Sequence, residues 1–202
     1  MNRPTLFAHG AGAGSSSPWM RAWADRLAAA LGAPVRRFDY PYMAAGRKAP
    51  DRLPKLLVAH GEALDGLLAG GERGGAVLIG KSMGSRVGCH LAVERPADVA
   101  ALVCLGYPLR APKGSLRDEV LLALETPVLF VQGTRDPLCP LDALAAVRPR
   151  MRAPSALHVV ETGNHSLEIT RGHTKATGVT QEDADAAAVA AIVAFLAEHA
   201  PA

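Results

Sequence analysis

Ala76-Val77-Leu78-Ile79-Gly80-Lys81-Ser82-Met83-Gly84-Ser85-Arg86 joins an apolar run to a glycine-flanked serine and then to a helix-forming stretch. Ala76 to Ile79 has the length and composition of a strand buried on both faces. Gly80-Lys81-Ser82-Met83-Gly84 fits Gly-x-Ser-x-Gly, a sharp strand-to-helix turn that exposes a serine hydroxyl. The glycines have a physical reason. The serine backbone is strained in such a turn, and a side chain at Gly80 or Gly84 would strike the neighbouring strand or helix. The helix that follows aims its N-terminus at the serine, where developing negative charge is favoured.

The same residues spell a second pattern. Gly75-Ala76-Val77-Leu78-Ile79-Gly80-Lys81-Ser82 matches the phosphate-loop string Gly-x4-Gly-Lys-Ser. A phosphate loop wraps the N–H groups of its four middle residues around phosphates, whereas Ala-Val-Leu-Ile forms a strand. The strand that should precede Gly75 is also missing, because residues 69–74 read as a loop. The serine-turn reading is therefore preferred.

The 202 residues suit a single domain spanning 1–202. Half the residues are hydrophobic and a fifth are charged, a globular balance. No apolar run reaches the ~20 residues of a membrane span. Only Met1-Asn2-Arg3-Pro4 precedes the first strand, which leaves no room for a signal peptide. Cys89, Cys104 and Cys139 are odd in number and lack Cys-x-x-Cys spacing, so neither a disulfide framework nor a metal site is expected. These features together predict a cytoplasmic protein without cofactor or membrane partner. A net charge of +3 and few aromatics give no basis for nucleic-acid binding.

Along the chain, strand and helix alternate. Thr5-Leu6-Phe7-Ala8 is a strand followed by the loop His9-Gly10-Ala11-Gly12-Ala13-Gly14-Ser15. Ser17 and Pro18 open a helix with Met20, Trp23, Leu27 and Leu31 at helical spacing, stopped at Gly32. Val35 to Asp39 is a strand, residues 40–50 are a loop, and Asp51 caps a leucine-rich helix stopped by Gly70-Gly71. Val99 to Leu105, Pro127 to Val131 and Ala156 to Val160 are further strands, with helices over 118–124 and 141–147. A long polar loop opens at Gly163, and Thr180-x-x-Asp183 starts the last helix. The pattern predicts an α/β fold: an open, mostly parallel sheet of about six strands with helices on both faces. In such sheets the working residues sit at the carboxyl ends of the strands.

Ser82, Asp136 and His165 all fall at strand ends, in the order Ser…Asp…His. His9-Gly10-Ala11-Gly12 falls at the end of the first strand, where a second donor to an oxyanion would come from. These positions together resemble the α/β-hydrolase superfamily. His-Gly-Ala-Gly, Gly-Lys-Ser-Met-Gly and Gly-Asn-His-Ser are most similar to the small lidless hydrolases that include the dienelactone-hydrolase-like proteins. The resemblance runs from Thr5 to the last helix. It implies an α/β-hydrolase fold that begins at the family's third strand and carries no cap domain. It further implies acyl transfer from a small-molecule ester, with Ser82 as nucleophile, His165 as base and Asp136 orienting it. The backbone N–H groups of Met83 and Ala11 would hold the oxyanion. Where relatives often continue the turn with a further glycine, this chain has Ser85.

His9 is expected to brace the oxyanion loop. His173 is a rival base, while His60, His90 and His158 lie within helices or a strand. Gly10, Gly12, Lys81, Tyr42 and Tyr107 join His9 as candidate substrate-binding residues. Loops 40–50, 107–117 and 166–180 are expected to wall the pocket. Arg47, Lys48, Arg110, Lys113, Arg117, Arg171 and Lys175, against Glu168, would make its mouth electropositive and favour anionic substrates. Two other readings remain. Gly10-Ala11-Gly12-Ala13-Gly14-Ser15 with Asp39 resembles a dinucleotide-binding opening whose third glycine is replaced by Ser15. A hydrolase fold kept as a silent interaction module is the other.

Overall fold

A computed structural model describes residues 3–70, 74–111 and 114–201. Gly71, assigned above to a helix stop, and Lys113, assigned to a basic loop, lie outside the described residues. Six strands form one parallel sheet: β1 (Thr5–Ala8), β2 (Val35–Phe38), β3 (Ala76–Lys81), β4 (Val99–Leu105), β5 (Val128–Gly133) and β6 (Ser155–Val160). Their order is β2-β1-β3-β4-β5-β6, and every neighbouring pair is parallel. The apolar runs read from the sequence are the central strands. Each strand feeds alternate side chains into two layers, so both its faces must be apolar.

On one face Leu78, Leu102 and Phe130 pack with Leu64 of α3 (Leu53–Leu68), Cys89 and Leu91 of α4 (Met83–Glu94) and Leu144 of α6 (Leu141–Val147). On the other, Ile79, Val103 and Val131 pack with Trp23 and Leu27 of α1 (Pro18–Leu31) and with Ile192 and Phe195 of α8 (Gln181–His199). Full burial of each such side chain contributes about 1.5–3 kcal/mol, so these two layers hold the sheet and its strand ends rigid.

The helix boundaries follow local chemistry. Ser17 Oγ accepts the Met20 N–H, and Gly32 ends α1 at φ 65°. Thr180 and Asp183 cap α8 reciprocally. Asp51 does not cap α3. The N-cap is Arg52 without a side-chain bond, and the Asp51 carboxylate accepts from Arg47 at 2.8 Å instead. Pro54 in the first turn has no N–H to be capped, and a guanidinium four residues back offers a charge-assisted bond. The stretches read as loops 40–50 and 166–180 contain α2 (Pro41–Ala44) and α7 (Arg171–Thr177). Thr170 caps α7 through the His173 N–H, and Gly178 closes it. Both residues are stop and start signals, but α7 carries no apolar stripe, so periodicity misses it. Between them lies α5 (Glu119–Ala123) on the route from β4 to β5.

The chain enters at β1, runs outward to β2, then returns to β3 on the other side of β1. The crossovers therefore diverge between β1 and β3. Divergence opens a crevice at the carboxyl ends of those two strands. Among the described residues, no helix is long and apolar enough to cross a membrane.

Candidate active site

Ser82 stands between the end of β3 and the first residue of α4, at φ 51° and ψ −112°. A non-glycine residue held there costs about 1–3 kcal/mol, which the packed elements on either side must supply. The turn closes only because its flanks are bare. A Cβ at Gly80 would lie 2.1 Å from the Ser85 nitrogen, and one at Gly84 would lie 2.5 Å from the Ala8 oxygen. Ser82 N–H donates to the Leu105 carbonyl at 3.0 Å, tying the turn to β4. Ser85 is accommodated in place of a further glycine by donating its hydroxyl to the Ser82 carbonyl at 2.6 Å.

Asp136 follows β5 and is buried. Its Oδ2 accepts from Gln132 Nε2 at 2.6 Å and from His165 Nδ1 at 2.7 Å, while Oδ1 accepts the Leu138 N–H at 2.9 Å. Burial alone would raise this carboxyl. The hydrogen bond and charge of His165, joined by the Leu138 N–H and the Gln132 amide, outweigh burial and hold it below the ordinary carboxylate value. His165, on the loop after β6, gives Nδ1–H to this carboxylate. The tautomer leaves Nε2 as acceptor for the Ser82 hydroxyl at 2.8 Å. Three residues from three strand ends thus form one hydrogen-bonded chain, Ser82–His165–Asp136.

That chain opens into a cavity of about 380 Å³ lined by Gly10, Ala11, Gly12 and Ala13 after β1, by Lys81 and Ser82, and by Ser17, Trp19, Met20, His165 and Ser166. The alpha/beta hydrolase domain model matches residues 2–197. The chain belongs to the alpha/beta hydrolases. Solved structures carry the same fold. Est1E from Butyrivibrio proteoclasticus is 16% identical, with 97% of this chain and 89% of that one covered at a TM-score of 0.70. Dienelactone hydrolase from Anabaena variabilis is 20% identical over 98% and 87%, at 0.70. The monoacylglycerol lipase of Paleococcus ferrophilus is 15% identical over 95% and 94%, at 0.67. At such identities the likeness is one of fold.

Within this α/β-hydrolase the sequence-predicted residues divide. Ser82, His165, Ala11, Gly10, Gly12 and Lys81 line the cavity, and Asp136 lies directly behind it. Met83 begins α4, where its N–H has no intrahelical acceptor. His9 is buried beneath the loop after β1. Its Nε2 accepts the Tyr40 N–H at 3.1 Å and its Nδ1–H donates to the Gly10 carbonyl at 2.7 Å. Burial pushes its ring below the usual imidazole value, the Gly10 bond and Asp39 working against this, so His9 stays neutral beside Asp39.

Tyr42 and Tyr107 are corrections. Both are fully buried and neither lines the cavity. Tyr42 donates its hydroxyl to the Ala11 carbonyl at 3.0 Å from α2, and Tyr107 packs its ring edge-on against Phe130. Aromatic size in a strand-end loop serves equally for a wall and for core, and here burial won. Among the described residues the walls are the loop after β1, the start of α1 and residues 165–166, so the expected loop 166–180 contributes its first residue and loops 40–50 and 107–117 contribute none. Arg47 is paired with Asp51. His173 sits on α7, outside the lining. Asp39, the ribose partner of the dinucleotide reading, accepts the Ser15 N–H at 2.6 Å and closes the glycine loop. The sequence reading missed Gln132, Ser17 and Trp19. Gln132 carried a signal, a polar residue ending an apolar strand. The others carried none, because their role comes from α1 lying over the β6 loop.

Proposed function

We propose that this α/β-hydrolase is a serine hydrolase that cleaves small carboxylic esters through an acyl-enzyme. The observation that carries the reading is His165 bridging Ser82 at 2.8 Å and Asp136 at 2.7 Å. His165 Nε2 takes the Ser82 proton as Oγ bonds to the ester carbonyl carbon. The same nitrogen returns that proton to the departing alkoxide as the C–O bond breaks. Water, deprotonated by His165, then attacks the acyl-serine and releases the acid. Asp136, held ionised, stabilises the imidazolium formed in each half-reaction.

The oxyanion is held by the N–H groups of Met83 and Ala11. His9 orients the second donor. It fixes the Gly10 carbonyl, and in a trans peptide the Ala11 N–H points the opposite way. Loss of one such donor costs about 10²–10³ in rate. The cavity of about 380 Å³ suits short acyl groups. Among the described residues, Lys81 is the one ionisable side chain in its lining beside the His165 ring, so anionic esters stay within the proposed range.

A panel of p-nitrophenyl esters of rising chain length tests the reading. Rates should be highest for acetate and butyrate and should vanish in Ser82→Ala. Hydrolysis that survives that substitution would exclude the mechanism.

A further inference from the structure

Lys81 does more than flank the nucleophile. Its chain runs under the loop after β1, with Cγ at 3.5 Å from where a Gly10 Cβ would stand. Its ammonium donates to the main-chain carbonyl of His165 and lies 5.6 Å from the centre of the Trp19 ring. Trp19 in turn donates its indole N–H to the next carbonyl, Ser166, at 3.0 Å. Two consecutive carbonyls of the histidine loop are therefore gripped, one from β3 and one from α1. Gly106 leaves the room: a Cβ there would meet the His165 carbonyl at 2.6 Å and the Lys81 ammonium at 3.1 Å.

The loop requires such a grip. Thr162 and Leu167 both hold positive φ, at 55° and 64°, on either side of His165. Backbone of that kind persists only where its surroundings over-determine it. We infer that Lys81, with Trp19, is a positioning residue that locks the His165 imidazole between Ser82 and Asp136. The inference rests on the serine-hydrolase reading for its consequence, though not for its geometry. Because Lys81 and Ser82 are adjacent, one strand end fixes both the nucleophile and the base that serves it.

The grip depends on charge, since a bond from an ammonium is roughly twice as strong as one from a neutral amine. Burial lowers Lys81 to about 8, against the opposing pull of Asp136 and Glu168. Facing it are Asp136 from the β5 loop, Glu168 and His165 from the β6 loop, and the uncharged Trp19 ring from α1.

The test compares the full chain with Lys81→Met and with Lys81→Cys before and after alkylation by 2-bromoethylamine, which restores an ammonium on a side chain of lysine length. The assay is p-nitrophenyl acetate hydrolysis, read together with the low-field imidazole Nδ1–H resonance of His165. In Lys81→Met, kcat should fall about 30- to 100-fold with KM within about twofold, since a misplacement near 1 Å costs about 10². The resonance should shift or broaden by exchange, and the alkaline fall in kcat near pH 8 should disappear. Alkylation of the Lys81→Cys chain should recover most of the lost kcat. Lys81→Met with unchanged kcat and resonance, or no recovery on alkylation, would overturn the inference. A wild-type chain that hydrolyses no ester while the resonance still moves in Lys81→Met would remove the hydrolase reading and leave the clamp.

Discussion

Gly84→Ala and Gly88→Ala add the same methyl group to the same helix, yet the structure separates them sharply. At position 84 the new Cβ would stand 2.5 Å from the Ala8 oxygen, 2.8 Å from the Ala8 carbonyl carbon and 2.8 Å from the His9 oxygen. All three are backbone atoms, two of them in Ala8, which is paired to β2 and β3 on either side, and the third in the residue that follows, so none can rotate away. Relief to an ordinary contact of roughly 3.4 Å or more moves the first turn of α4 away from β1 by close to 1 Å. That motion displaces the Met83 N–H and Ser82 from the Ala11 loop. Overpacking of this kind costs about 1–3 kcal/mol, of which the better helix propensity of alanine returns up to about 1. The expected kcat loss is about 10²-fold.

At position 88 the nearest atom is His60 Cε1 at 3.6 Å, an ordinary contact. Gly88→Ala should therefore stabilise the protein by about 0.5–1 kcal/mol and leave kcat unchanged. In a chain of this size 1 kcal/mol moves Tm by about 2–4 °C, so urea or thermal unfolding resolves the pair. Steady-state hydrolysis of p-nitrophenyl acetate reads the site. A Gly84→Ala protein with wild-type kcat, or a Gly88→Ala protein equally impaired, would refute the reasoning.

Asp136→Asn keeps the side-chain shape but removes the carboxylate that sets the His165 tautomer; kcat should fall about 10⁴-fold with the circular dichroism spectrum unchanged. Thr180→Ala breaks the reciprocal cap of α8 and should cost about 1 kcal/mol in urea unfolding with no effect on kcat. Lys81 also links stability to pH. Its ammonium is lowered from 10.5 to about 8 in the folded state, so the unfolded chain binds the extra proton between those values. Wild type should gain on the order of 2–3 kcal/mol over Lys81→Met between pH 7 and pH 10, and a pH-independent difference would contradict this.

What the sequence discloses is what local chemistry decides. The strand from Val99 to Leu105 and the helix from Leu141 to Val147 are read to the residue, because uninterrupted apolar runs and clean stop signals have one outcome. The parallel sheet is legible too, since buried apolar strands alternating with helices imply it. That Ser82, Asp136 and His165 lie on one edge follows from their places at the carboxyl ends of parallel strands. The cavity walls do not. Trp19 belongs to the same helical stripe as the buried Trp23, and only the placement of α1 over residues 165–166 turns it toward the site. Tyr42 and Tyr107 fail in the opposite direction, because a large aromatic near a strand end is drawn into whatever core lies beneath it. Asp51 shows a third kind of failure: capping potential was present, but Arg47 and Lys55 competed for the same carboxylate.

The proposed chemistry makes Ser82 a nucleophile activated by His165. Intact-protein and peptide mass spectrometry after brief exposure to a fluorophosphonate tests it most directly. One adduct per chain should form, located on the peptide bearing Ser82, far more slowly in Asp136→Asn and not at all in Ser82→Ala. A folded wild-type chain that takes up no adduct, or carries it on another residue, would contradict it.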